Sequence, residues 1–118
     1  MAQHSTLHLN RWKIIPTTDI IYLKSDINYT DVHTLDNRKQ TSGLTLKVLA
    51  NRITDTNFLR INRGLLINLQ YIKAINAVQS DAFVLMTNGK ILPVSLRKYK
   101  LLMERANNYS IRRVREGL

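Results

Sequence analysis

Thr87-Asn88-Gly89 separates two strand-like runs, Ala82 to Met86 and Lys90 to Val94, and an Asn-Gly pair in that setting closes a β-hairpin. The chain must turn back on itself there, so antiparallel pairing is imposed locally. Similar short runs recur along the chain. Leu7 to Ile15 alternates loosely, Pro16-Thr17-Thr18 interrupts it, and Ile20 to Leu23 resumes an apolar run, giving two short strands. Tyr29 to Leu35 alternates in polarity, and Asp36-Asn37 forms a tight turn before a strand from about Arg38 to Thr41. Phe58 to Ile61, Leu65 to Asn68 and Tyr71 to Ile75 are further short apolar elements, the first two separated by Asn62-Arg63-Gly64.

Two segments change period. Leu46, Leu49, Ala50 and Ile53 recur at helical spacing, with Ser42 or Gly43 placed to start that helix and Lys47 and Arg52 on its wet side. Leu96, Tyr99, Leu102 and Met103 line one face of a second helix that Ser95 is placed to cap. With no internal repeat and no long linker, the 118 residues read as one mostly β domain with two short helices.

Within an ordinary composition, 44% hydrophobic and 22% charged, the unusual quantity is the formal net charge of +10. Eighteen Lys and Arg against eight Asp and Glu leave most cations without an acidic partner, and a polyanion relieves their repulsion. Nucleic acid is the first candidate. An anionic membrane fits less well, because it calls for a basic amphipathic helix with bulky aromatics, approached only from Arg97 onward. No run nears the roughly 18 apolar residues of a membrane span, and the start, MAQHSTLHLN, lacks a basic region followed by an apolar one. Zero cysteines agree with a reducing compartment, so the expected location is cytoplasmic, with no membrane partner.

Enzyme chemistry finds little purchase. His4, His8 and His33 do not converge as metal ligands with nearby carboxylates, so no metal and no cofactor are expected. Ser95-Leu96-Arg97-Lys98 matches the S-x-x-K of serine acyl enzymes, but the companion S-D-N and K-T-G elements are absent and Ser95 already has a capping role. The four glycines stand alone, which rules out a glycine-rich phosphate loop. Glu104 and Glu116 lie among arginines, where salt bridging explains them. A binding module is the expectation, with no catalytic residue.

The stretch FLRINRGLLINLQYI, from Phe58 to Ile72, is as apolar as a buried strand yet carries Arg60 and Arg63. Burying an unpaired guanidinium costs several kcal/mol, so both must emerge from the core-forming segment. Three polar clusters sit at strand ends and turns: Asn28-Tyr29, Asn62-Arg63 and Arg97-Lys98. Arg can pair with guanine O6 and N7, and Asn with adenine N6 and N7, which suits these types to base edges in a major groove. Lys98, Lys100 and Arg60 suit phosphates. Bland roles compete: Asn68 can satisfy backbone groups at a turn, Asn62 can be a turn residue, and Arg60 can brace a sheet or pair with Asp55.

In order, DIIYLKSDINYTDVHT, LDNRKQTSGLTLKVL, FLRINRGLLINLQYIKAI and MTNGKILPVSLRKYKLL resemble the LytTR DNA-binding domain, the output module of many bacterial response regulators of the LytR/AlgR type. The resemblance covers about residues 19–103, and its most specific pieces are the F-x-R-x-N-R-x-x-x-x-N run and the LPVS-x-R end. It implies a single domain with an N-terminal strand region over 1–18 and a basic tail over 104–118. The implied fold has about ten short antiparallel strands in small sheets, one short central helix and a C-terminal helix. The implied function is sequence-specific duplex DNA binding for transcription regulation, with loops entering the major groove. By position in the motif, base contacts fall on Asn28, Tyr29, Asn62, Arg63 and Arg97, and backbone contacts on Lys24, Arg60, Ser95, Lys98 and Lys100. Implied partners are repeated DNA half-sites, a second copy on DNA, and an upstream sensor kinase or regulator.

Two positions depart from the family pattern. An acidic residue is common near Lys24, and Arg often stands where Leu96 does, a change that would remove a DNA contact. The receiver domain usual in response regulators has no room in 118 residues, so either a stand-alone member or an excised output domain is expected. The competing functions are a basic RNA-binding module, with Trp12, Tyr22, Tyr29 or Tyr71 stacking on bases, and an interaction domain for an acidic protein.

Overall fold

Alternating burial along short strands sorts the chain into three sheets in the computed structural model, which describes residues 5–109 and the backbone of Arg112–Glu116. The strands are β1 (Thr6–Asn10), β2 (Lys13–Pro16), β3 (Ile20–Asp26), β4 (Tyr29–Thr34), β5 (Lys39–Ser42), β6 (Phe58–Asn62), β7 (Leu65–Asn68), β8 (Ile72–Val78), β9 (Asp81–Met86), β10 (Ile91–Val94) and β11 (Arg112–Glu116). Helix α1 spans Leu46–Arg52 and α2 spans Leu96–Ala106. β1 and β2 form a ribbon, five strands follow the order β5-β4-β3-β7-β6, and four follow β10-β9-β8-β11.

The ten strands β1 to β10 pair antiparallel, as expected, and the fold class is mostly β with two helices. β11 was not anticipated: it joins β8 in parallel, with Arg112 opposite Ala74. α2 also runs through Ala106, so residues 104–106, read as the start of a tail, are helical.

The five-stranded sheet buries both faces. In β3, Leu23 turns toward the ribbon and α1, packing with Leu7, Leu9, Ile15, Leu46 and Leu49. Its neighbour Tyr22 turns the other way, joining Ile61 and Ile67 against Ile75, Val84 and Leu102 of the second sheet and α2. Each fully buried Leu or Ile contributes about 1.5–3 kcal/mol, so two opposed clusters hold the sheet as a rigid middle layer.

Local chemistry corrects two sequence expectations. α1 starts at Thr45, whose Oγ1 accepts from the Val48 N–H at 3.3 Å, rather than at Ser42 or Gly43. The Ser42 hydroxyl is spent elsewhere, donating to the Leu9 carbonyl at 2.6 Å and so tying the ribbon to β5. Ser95 does occupy the N-cap position of α2, but its hydroxyl makes no capping hydrogen bond. The Asn88-Gly89 hairpin forms, with Gly89 at φ 88° and Met86 and Lys90 paired across a three-residue turn.

Candidate functional site

Strand register brings three loops to one end of the five-stranded sheet. Asp26 pairs with Tyr29, so Ile27 and Asn28 form the β3–β4 turn there. Lys24 pairs with Leu65 and the Ser25 N–H donates to the Gly64 carbonyl at 2.9 Å, which sets the β6–β7 turn beside that hairpin. The Ser95 N–H donates to the Ile61 carbonyl at 2.9 Å, bringing the start of α2 to the same place.

Between the β6–β7 turn and α2 lies a cleft of about 500 Å³ lined by Arg60, Asn62, Arg63, Ser95, Arg97 and Lys98. Six of the ten residues assigned to DNA contact from sequence therefore meet in one cavity. Arg60 leaves the sheet half-buried and donates from Nη2 to the Arg63 carbonyl at 2.6 Å, bracing the turn and leaving the Arg63 side chain exposed. Arg60 does not pair with Asp55, whose Oδ2 accepts from the Thr17 hydroxyl at 2.9 Å. Asn62 is engaged at both ends of its carboxamide, donating to the Pro93 carbonyl at 2.7 Å and accepting from the Gly64 N–H at 2.8 Å.

Asn28 and Tyr29 stand on the neighbouring turn, Tyr29 being 57% exposed. Lys24 is exposed too, but lines a separate groove with Tyr22, Asp31, His33, Lys39 and Lys90. Lys100 lies one helical turn beyond Arg97 on α2, outside the cleft lining. Sequence reasoning passed over Ile27, which is 88% exposed at φ 55°, a backbone conformation that β-branched residues avoid. An apolar residue inside the polar turn SDINY was the available signal.

The electrostatics of the cleft are one-sided. Among the described residues the ion pairs are Arg38 with Asp36 and Lys39 with Asp31, so Arg60, Arg63, Arg97 and Lys98 have none. No acidic residue occupies the first turn of α2, where Arg97 and Lys98 add to the positive end of the helix dipole. Cations there oppose helix stability and favour an anion. The exposed guanidiniums of Arg63 and Arg97 can form paired hydrogen bonds with phosphates or base edges.

Near Lys24 the Tyr22 and His33 rings stack at 4.2 Å. Burial holds His33 below its ordinary pKa, with Lys39, Lys24 and Lys90 adding to the effect and Asp31 opposing it. No group of three or more candidate metal ligands occurs among the described residues, and no helix there is long and apolar enough to cross a membrane.

The LytTr DNA-binding domain family matches residues 10–107. The sensory transduction protein LytT of Bacillus subtilis is 32% identical over 83 residues, 70% of this chain and 34% of that protein. The CO-responsive transcriptional regulator RcoM of Rhodospirillum rubrum is 29% identical over 77 residues, 65% of this chain and 32% of that protein. The chain thus spans about a third of the length of these relatives. A solved structure, described as the LytTr DNA-binding domain of a response regulator from Bacillus cereus, superposes with a TM-score of 0.69 at 23% identity, covering 89% of this chain and 97% of that one.

Proposed function

The chain belongs to the family of LytTr DNA-binding domains, and on that premise we propose that it binds duplex DNA sequence-specifically as the output module of a cytoplasmic bacterial transcription regulator. The observation that carries this reading is the cleft where Arg60, Arg63, Arg97 and Lys98 converge without an acidic partner among the described residues. Arg63 and Arg97 read base edges in the major groove, assisted by Asn28 and Tyr29 from the adjacent turn. Ser95, Lys98, Lys100 and Lys24 hold phosphates. Asn62, committed to Pro93 and Gly64, sets the position of Arg63 rather than reading a base itself. Arg60 does the same through the Arg63 carbonyl.

Two copies on repeated half-sites, and control by an upstream sensor kinase or regulator, complete the proposal. The domain supplies binding, not catalysis. Competition at near-physiological salt tests it: labelled duplex DNA should be displaced by unlabelled duplex far better than by single-stranded RNA or an acidic polypeptide. Equal displacement by RNA would overturn the assignment.

A further inference from the structure

The β1–β2 ribbon ends in the turn Asn10-Arg11-Trp12-Lys13, whose shape is held by the Trp12 N–H donating to Asn10 Oδ1 at 2.7 Å. Trp12 is 86% exposed, with the Arg11 guanidinium 5.7 Å from its ring centroid. An indole left in water forfeits the largest apolar burial any side chain offers, so its place at the tip of an anchored ribbon needs a reason. The ribbon is well anchored, since Leu7, Leu9 and Ile15 are buried beneath it.

Register sets the direction of this turn. The Leu9 carbonyl accepts from Ser42, and Ser42 pairs with Thr30, next to the Tyr29 that opens β4. The far end of the ribbon leads through Pro16 to Asp19, whose carbonyl accepts from the Leu35 N–H beyond the opposite end of β4. The Arg11-Trp12 turn therefore emerges at the same end of the molecule as the β3–β4 turn, the β6–β7 turn and the start of α2.

Its charge matches theirs. Residues 1–18 contain no Asp or Glu, and neither do residues 37–54, which supply the flanking loop and α1. Arg52 reaches across from α1 to donate to the His8 carbonyl at 3.4 Å, placing a third cation behind Arg11 and Lys13. None of the three has an ion pair among the described residues. β5, to which the ribbon is tied, and β6, which leads to Arg63, are four strand spacings apart, about 19 Å. That is close to half a turn of duplex DNA, about 17 Å.

We propose that the ribbon turn is a fourth DNA-contacting element, in which Arg11 and Lys13 hold phosphates flanking the segment reached by the three loops and Trp12 lies against the sugar-phosphate edge. The proposal rests on the duplex-binding reading of the three loops and extends the footprint by about half a helical turn.

Trp12 is the only tryptophan in the chain, so its emission reports directly on the ribbon. The full chain, an Arg11→Ala/Lys13→Ala variant and an Arg63→Ala variant would be titrated with a duplex selected by the wild type, over a range of salt and with flanks of decreasing length. Duplex should change the Trp12 emission of the wild type. The double variant should bind roughly tenfold more weakly on long duplexes, with a log affinity against log salt slope shallower by about 1.8 for two lost phosphate contacts. Trimming the flank should erase the difference between double variant and wild type.

Unchanged emission with unchanged affinity and slope in the double variant, while Arg63→Ala still binds weakly, would remove the ribbon and leave the three-loop reading standing. An impaired double variant beside a fully active Arg63→Ala would overturn the loop reading instead. Absence of any duplex binding by the wild type would overturn both. If an acidic polypeptide, but no duplex, changed the Trp12 emission, the ribbon would belong to a protein interface and the proposal would fall.

Discussion

The Asn62 side chain donates to the carbonyl of Pro93, 31 residues away, and so fastens the β6–β7 turn to the strand that leads into α2. Arg63 and Arg97 are thereby carried on two loops that cannot move independently. Asn62→Ala removes that bond and the one to Gly64, and should cost about 1–2 kcal/mol of folding stability, measurable by urea denaturation. In DNA affinity, a double-mutant cycle between Asn62→Ala and Arg97→Ala should give a coupling energy above roughly 0.5 kcal/mol. Simple additivity would mean that the bond does not align the two loops.

Arg60 is proposed to act through the backbone rather than by charge alone, because one arm of its guanidinium holds the Arg63 carbonyl. Arg60→Lys keeps the charge and loses the planar fork. It should weaken duplex binding clearly, by roughly fivefold or more, on the scale of one hydrogen bond to a charged group. Wild-type affinity for Arg60→Lys in a binding titration would reduce Arg60 to a phosphate contact.

Ile27 carries strain at the edge of the site. A β-branched residue at φ 55° is held against a steric penalty of about 1–2 kcal/mol that glycine does not incur. Ile27→Gly should therefore raise the melting temperature, since an 88% exposed side chain has little packing to lose. A lower melting temperature would show that the isoleucine is held by packing after all.

Acid sensitivity should follow from His33. Its folded pKa is lowered, chiefly by burial, while the unfolded chain protonates at the ordinary value near 6.5. Above that pH both states are neutral and His33 adds no pH dependence. Below it the unfolded chain binds the proton first, so stability falls as pH descends from about 6.5 until the folded value is passed. Denaturant midpoints for wild type and His33→Phe should diverge within that window, with the variant less sensitive to acid.

Much of the fold was legible because turn chemistry and apolar period agreed over short distances. Thr87-Asn88-Gly89 marked its hairpin, and Leu46, Leu49 and Ile53 marked α1. Asn68 also read correctly as structural: it is fully buried, donates to the Ile20 carbonyl and accepts from the Gln70 N–H, each at 3.0 Å. What could not be read depended on distant partners. Ser42, Gly43 and Thr45 are all acceptable helix starts, and only the Leu9 carbonyl, 33 residues away in sequence, diverts the Ser42 hydroxyl and leaves the cap to Thr45. β11 offered no period to recognise, since its sequence RRVRE resembles a charged tail until β8 is beside it.

The candidate site followed the same division. Residue type and position nominated Arg60, Asn62, Arg63, Ser95, Arg97 and Lys98, and the cleft gathers them. Sequence did not separate the groups free to reach a ligand from those already committed. Asn62 was nominated as a base contact on its amide chemistry, yet both ends of that amide are engaged by backbone groups. Nor did sequence show that Lys24, grouped with the phosphate contacts, stands exposed in a neighbouring groove beside Tyr22 and His33 rather than in the cleft itself.

The most direct test is selection of bound duplexes from a random-sequence pool at near-physiological salt, run in parallel with wild-type and Arg63→Ala protein. A motif enriched by the wild type is expected, with Arg63→Ala losing about 1–3 kcal/mol and relaxing preference at one base position. No enrichment, with binding that simply vanishes as salt rises, would contradict sequence readout and leave a non-specific polyanion binder.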